Sequence, residues 1–460
     1  MITTNTLQPY ISPLMSDRQI KICFRRLELI SVALLLFFSV FCASVSQAAE
    51  TRIVTLDQAL SIAMEKNRDI DKARQYGRYV QGRYEEERAA ALPQLSLTAG
   101  ATISRDESQG FTGMTALQHN RTADITLSQP LYTWGKIGAA IRAAEVGIKT
   151  ADEQLRLFRQ AAFRDVSTAF YDVLLARELH RQARETLDQR VRHQDEARRK
   201  FASGVATDYD ILAADVAVDN ARPEVIRSEN SIRTARERLR FLLALEDAEV
   251  DVAGSLDSNP PSPPDVASAL ETACKQRPEL ADARLRTGIY RELVTIAAAD
   301  SKPRLDLKGA AGWRWVDMQA SGAPHQSDNG PAWNIGVYLS FPFFDGFRTS
   351  GRVTQAESDL RTRQIEESRL KDAVSLEVRD AVHAVRESAE IVNALSGTVR
   401  QAERLLQMAE KGYEFGVKTR LEVDDAQANL VQAQGNLARA RRDQQVAQIN
   451  LSWAMGVAGE

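Results

Sequence analysis

The chain repeats itself. Leu56–Asn67 reads LDQALSIAMEKN and Val266–Arg277 reads VASALETACKQR, so Leu60 falls on Leu270 at an offset of 210 residues. Leu92-Pro93-Gln94-Leu95-Ser96-Leu97 matches Lys302-Pro303-Arg304-Leu305-Asp306-Leu307, and Leu127-Ser128-Gln129-Pro130 matches Leu339-Ser340-Phe341-Pro342. Phe201-Ala202-Ser203-Gly204-Val205 then matches Tyr413-Glu414-Phe415-Gly416-Val417, with the offset grown only to 212. A tandem duplication requires each half to supply the same elements, so the fold must be two copies of one plan. Residues 257–265 hold Pro260, Pro261, Pro263 and Pro264, which neither a helix interior nor a central strand tolerates. The expected division is a first repeat over 49–256, a Pro-rich linker over 257–265 and a second repeat over 266–460.

Residues 1–48 read as a secretory signal peptide. Lys21, Arg25 and Arg26 precede an apolar run from Leu29 to Phe41 and a small-residue stretch ending at Ala48. That run is shorter than the roughly 20 residues a helix needs to cross a bilayer. Cys42 follows Phe41 rather than a small residue, which disfavours lipidation. Cys23 and Cys42 leave with the leader, so Cys274 remains alone and no intramolecular disulfide is expected. The leader carries Arg18, Lys21, Arg25 and Arg26 against Asp17 and Glu28, so the net charge of −3 becomes −3 − (+2) = −5 on its removal. That balance argues against nucleic acid as a partner. No later run is apolar enough for a transmembrane helix, so entry into a membrane would use strands.

Each half offers two segments of period-two alternation, about 94–104 and 122–133 in the first and about 303–316 and 333–343 in the second. Leu95, Leu97, Ala99, Ala101 and Ile103 interleave with Ser96, Thr98, Gly100 and Thr102; Trp333, Ile335, Val337, Leu339, Phe341 and Phe343 interleave with Asn334, Gly336, Tyr338 and Ser340. Strands of about ten residues with one apolar and one polar face are what a transmembrane barrel requires. Trp313, Trp315 and Trp333 stand near strand ends, where an aromatic girdle against outer-membrane lipid would sit. Four strands cannot close a barrel, since the smallest have about eight. The chain must therefore assemble with copies of itself. Residues 106–121 and 317–331, rich in Gly, Ser and Gln, read as surface loops.

The remainder reads as long helical hairpins, about 137–246 and 348–456. Neither 137–200 nor 349–411 contains a proline. From Val378 to Tyr413 apolar residues recur in steps of three or four, covering 35 residues in ten steps, the 3.5 period of a left-handed coiled coil. The turns fall at Gly204-Val205 and Gly416-Val417, with the glycines placed for a positive-φ helix cap. Thr207 or Asp208, and Thr419, stand where the returning helices need N-caps.

These residues carry a family resemblance. Ala59-Leu60…Asn67 with Ala269-Leu270…Pro278, the junctions Gln129-Pro130-Leu131-Tyr132…Gly135 and Phe341-Pro342-Phe343-Phe344-Asp345-Gly346, and the stretch from Tyr413 through Gly416, Thr419, Leu421-Glu422-Val423 to Asp425-Ala426 resemble the TolC family of outer-membrane efflux proteins. The resemblance implies a mainly α fold with a small transmembrane β part: a homotrimer with one shared twelve-stranded barrel, continuous with a periplasmic α-helical coiled-coil barrel. It implies a periplasmic adaptor (membrane fusion) protein and an inner-membrane RND pump or ABC transporter as partners, and efflux of small molecules or type I protein secretion as the task. It further implies that Tyr413, Lys418, Asp210 and Asp425 form the periplasmic entrance, with Lys418 standing where the family has an arginine, and that the turns at Gly204, Val205, Gly416 and Val417 meet the adaptor.

Enzyme signatures are absent. His119, His180, His193, His325 and His383 show no ligand spacing, and no phosphate loop, metal-type cysteine pair or nucleophile elbow occurs. No catalytic residue, metal or cofactor is therefore expected. A non-conducting coiled-coil envelope scaffold is the reading from a different class, and it leaves the duplicated strands without a purpose.

Overall fold

The computed structural model describes residues 52–106, 116–245, 249–257, 260–320 and 324–459. The leader over 1–48, and the centre of the first surface loop at 107–115, lie outside them. The first half runs through β1 (Arg52–Val54), α1 (Leu56–Lys66, 11 residues), α2 (Arg68–Ala89, 22 residues), β2 (Gln94–Asp106), β3 (Ala116–Tyr132), α3 (Lys136–Ala202, 67 residues), α4 (Asp208–Leu242, 35 residues) and β4 (Val250–Val252). The second runs through α5 (Val266–Gln276, 11 residues), α6 (Pro278–Ala299, 22 residues), β5 (Arg304–Ala320), β6 (Gln326–Ser340), α7 (Arg348–Glu414, 67 residues) and α8 (Arg420–Ala454, 35 residues). The helices of the two halves agree in length residue for residue, so the duplication is one of structure as well as of motif.

Local chemistry sets the boundaries. Thr55 opens α1 with a capping box: its hydroxyl accepts from the Gln58 amide, and the Gln58 side chain accepts from the Thr55 amide. Asn67 opens α2 by accepting from the Asp69 and Ile70 amides, whereas α6 begins at Pro278, whose missing N–H costs nothing at the first helical position. At about 1.5 Å per residue, α3 and α7 are each roughly 100 Å long. α3 packs on α2 and α4 of its own half and on α6 and α8 of the other, while α7 packs on α6 and α8. Two apolar clusters fill the middle of the rods, one around Val166, Phe170, Val173, Leu239 and Val252, the other around Val378, Val382, Leu451 and Ala273. The two halves are thus interleaved rather than separate. The 22-residue helices, and the two-stranded sheet of β1 and β4, are additions to the elements expected from sequence. Among the described residues no helix is long and apolar enough to cross a membrane.

The four long strands form one antiparallel sheet in the order β2-β3-β5-β6. Its register aligns the alternation of all four: Leu97 lies opposite Ile125, Ile125 opposite Ala311, and Ala311 opposite Trp333. Because side chains alternate sides and paired residues share a side, one face is an apolar band and the other carries Ser96, Thr126, Asp306, Lys308 and Tyr338. Leu97 and Trp333 are 75% and 77% exposed, so among the described residues nothing covers the band there. The strands extend past the band at its loop end. β3 begins at Ala116 rather than about 122 and β6 at Gln326 rather than about 333, so much of what reads as surface loop is paired strand. Backbone pairing does not depend on side-chain polarity, and the apolar period marks the depth of the band rather than the length of the strand. At the other end β6 stops at Ser340 instead of about 343, where Pro342 removes a ladder donor.

Each sheet-to-helix junction turns on two consecutive left-handed residues, Trp134 (φ 52°) with Gly135 (φ 82°) and Gly346 (φ 68°) with Phe347 (φ 67°). A side-chain-bearing residue there costs about 1–2 kcal/mol. The aromatic rings it displays are exposed, as are Tyr132, Phe341, Phe343 and Phe344 nearby. Trp313 and Trp315 lie 6.4 Å apart at the loop end of the band, with Trp333 on a neighbouring strand. The band is therefore bordered by aromatics at both ends, where the sequence predicts a girdle only on the Trp313, Trp315 and Trp333 side.

Candidate functional site: the hairpin tips

The free ends of the rods are the two turns α3–α4 and α7–α8, built alike. In the first, the Gly204 amide donates to the Phe201 carbonyl and the Val205 amide to the Lys200 carbonyl; in the second, Gly416 donates to Tyr413 and Val417 to Gly412. This is the Schellman arrangement, and it needs positive φ at the glycine, 78° at Gly204 and 72° at Gly416. Thr207 and Thr419 open the returning helices with capping boxes closed by Asp210 and Glu422. Val205 and Val417 are 77% and 80% exposed, and Tyr209, Leu212, Phe415 and Leu421 are exposed beside them. The tips thus present apolar side chains to their surroundings.

Of the four expected entrance residues, Asp210 sits in its capping box, where the Thr207 amide donates to its carboxylate at 2.8 Å. These hydrogen bonds, from the Thr207 backbone and hydroxyl, hold its carboxyl below the usual aspartate range. Asp425 is exposed on the first turns of α8. Lys418 pairs with Glu422 one turn on and lays its stem over Gly412, where a Cβ would collide with it. Lys418 and the Thr419 cap together bring the Glu422 carboxyl down to about 2. Tyr413 does not meet Lys418. Its hydroxyl accepts from the Lys200 ammonium of the other tip at 3.1 Å, and its ring lies under that ammonium at 5.1 Å and near the Arg420 guanidinium at 5.8 Å. Lys200 is also tied to Glu196 at 2.7 Å, and both contacts raise its affinity for its proton, Glu196 more than Tyr413.

A second link between the hairpins lies deeper. Arg190 of α3 donates to Asp424 of α8 at 2.7 Å, and Arg420 approaches the same carboxylate at 3.4 Å. His193 beside them is held below the ordinary histidine range, chiefly by burial and then by the Arg420 charge. Nothing in the sequence around Lys200 or Arg190 marks either as part of the tips' contacts. The i,i+4 spacing of Arg420 and Asp424 is visible in the chain, but their partner stands 234 residues away and no local pattern announces it.

A four-stranded sheet with an uncovered apolar face, carried on helices of roughly 100 Å, defines a protein seated in lipid by its strands and reaching far from the membrane by its helices. The chain matches the outer membrane efflux protein family over residues 59–245 and 269–457 and belongs to it. It is similar to the outer membrane protein TolC of Escherichia coli (strain K12), 25% identical over 384 residues that cover 82% of this chain and 76% of that one. It is also similar to TolC of Vibrio cholerae, 27% identical over 386 residues, 81% of this chain and 84% of that one. Among solved structures, the outer-membrane channel OprN superposes with a TM-score of 0.76 at 19% identity, covering 88% of this chain and 90% of that one. The protein is accordingly an outer-membrane export component, not an enzyme, with its helices in the periplasm.

Proposed function

We propose that three copies of this chain form one exit duct. Three four-stranded sheets side by side give a twelve-stranded barrel, which satisfies the open edges of β2 and β6 that a membrane does not tolerate. The observation that carries this reading is the register: four strands from two repeats place every apolar set on one face, with polar groups on the other. The duct carries small molecules delivered by an inner-membrane pump through a periplasmic adaptor, whose docking the exposed apolar turns at Gly204-Val205 and Gly416-Val417 support. Tyr413, Lys418, Asp210 and Asp425 set its periplasmic entrance, together with Lys200, Arg190 and Asp424. Protein secretion is the second reading, favoured by similarity to the alkaline protease secretion protein AprF of Pseudomonas aeruginosa, 25% identical over 384 residues. Native mass spectrometry of the detergent-extracted protein tests the assembly: three copies are expected, and a folded single copy in lipid overturns it.

A further inference from the structure

Where the rods approach the sheet, α2 and α6 flank α3 and a groove lies between them. Ala140, Ala143, Ala144 and Gly147 of α3 form its floor, and these small residues leave the space that Tyr76 and Tyr79 border on α2 and Leu293 on α6. The groove encloses 320 Å³, within the about 300–1,000 Å³ of small-molecule sites. Tyr76 and Tyr79 stack with centroids 6.2 Å apart and are 41% and 66% exposed, so a further ring can stack beside them. Thr150 stands at the far end. Its hydroxyl is buried and has no hydrogen-bond partner among the described residues, which leaves a polar group for an occupant to meet.

The groove continues toward the strands. Glu87, Ala140 and Ile296 line both it and a second cavity of 560 Å³, whose other walls include Gln94, Ser128 and Ser340. Those three residues belong to the polar face of the sheet. The groove therefore opens on the side opposite the apolar band, which is the inner wall of the duct. Bases lining the two cavities outnumber acids five to two. Arg286 is tied to Asp282 at 2.7 Å, Lys136 to Asp300 at 2.5 Å and Arg304 to Asp306 at 2.9 Å. Arg83 and Lys302 form no ion pair among the described residues, and Glu87 is the one lining acid without a partner there. The lining thus carries an excess of positive charge around an apolar, aromatic slot.

We propose that this groove binds amphipathic aromatic anions inside the duct. The ring lies against Tyr79 and Leu293 over the alanine floor, and the acid group meets Arg83, whose planar guanidinium suits a carboxylate. An apolar slot alone would take any flat ring; the excess of bases sets the sign of the charge. The proposal rests on the duct reading above and names a class of cargo for it.

The test is equilibrium dialysis of the mature protein in lipid nanodiscs against 2-naphthoate, with 2-naphthylmethanol as the uncharged comparator and empty discs subtracted. Saturable binding of the acid, tighter than that of the alcohol, is expected. Arg83→Gln should weaken the acid several-fold and leave the alcohol unchanged, Arg83→Lys should retain most of the affinity, and Tyr79→Ala should weaken both ligands. Arg83 and Tyr79 are exposed, so these variants leave the packing of the helices intact. No saturable binding above empty discs, or the same loss for acid and alcohol in Arg83→Gln, overturns the site. Its place on the inner wall is read separately: Tyr79→Cys with Cys274→Ser, coupled to a polyethylene glycol maleimide, should lower single-channel conductance. Unchanged conductance after full coupling puts the groove outside the duct and overturns its part in passage. Absence of current before coupling refutes the duct, while dialysis still reports on the groove.

Discussion

Val337→Arg tests the orientation of the sheet. Val337 lies in β6 four residues from Trp333, and Phe341, four residues on and just past the end of the strand, is the aromatic at the other border of the band. At about 3.4 Å per residue that is roughly 14 Å of strand either way, which puts Val337 near the middle of the lipid. An arginine at mid-depth on the lipid face of a barrel costs about 2–4 kcal/mol. With about 1.4 kcal/mol for each factor of ten, the folded-to-unfolded ratio should fall by roughly 30- to 700-fold per chain. Tyr338→Arg puts the same group on the polar face, where it loses the contact with the Lys308 ammonium, 5.6 Å from the ring, and meets a like charge instead. In a water-filled lumen that repulsion is worth about 1 kcal/mol or less. Urea titration of folding into lipid vesicles, read as the folded band on an unheated gel, separates the two. Equal losses at both positions would show that the face or its register is wrong.

Gly312→Ala should abolish insertion, because a Cβ there would overlap the Ala123 carbonyl and Asp124 on β3; a normal yield of folded protein in outer-membrane fractions refutes the close strand approach. Thr419→Ala removes both hydrogen bonds that its hydroxyl makes with Glu422 and should destabilise the tip locally by about 1 kcal/mol, read as faster amide exchange over the first turn of α8 with the strands unchanged. Glu422 titrates at about 2 in the folded tip against 4.5 when unperturbed. Its ionised form therefore favours the folded tip at neutral pH, and the benefit persists to about pH 4.5 and is lost as pH falls toward 2. Protection at the tip, taken relative to the intrinsic exchange rate at each pH, should fall in that window, and Glu422→Gln should reduce the dependence. Asp424→Asn deprives Arg190 of its charge partner and should raise tip mobility more than Asp425→Asn, since Asp425 is exposed.

Much of this architecture is legible in the sequence because its elements are long and periodic. The heptad from Val378 to Tyr413, the alternation from Trp333 to Leu339 and the Gly-Val turns each repeat a local rule often enough to reveal the element, and duplication shows every rule twice. β1 and β4 have three residues each, too few to display a period. α2 contains few apolar residues among its charges, so its helical face is faint. At the tips, turn chemistry is local, so the glycines and threonine caps can be read; the partner of Tyr413 cannot, because Lys200 is 213 residues away and reaches it only through the packing of α3 beside α7 and α8. Asp210 shows the converse, since its place three residues after Thr207 marks it first as a capping-box carboxylate.

Single-channel recording in planar bilayers shows whether this chain builds a conducting duct whose tips restrict it at rest. The mature protein should give discrete, small conductance steps, and Lys200→Ala with Tyr413→Phe, which removes the hydrogen bond and the cation–π contact between the tips, should give larger ones with the number of copies unchanged. Absence of current from both proteins, at concentrations where the folded assembly is present in the bilayer, contradicts the duct and favours a non-conducting scaffold.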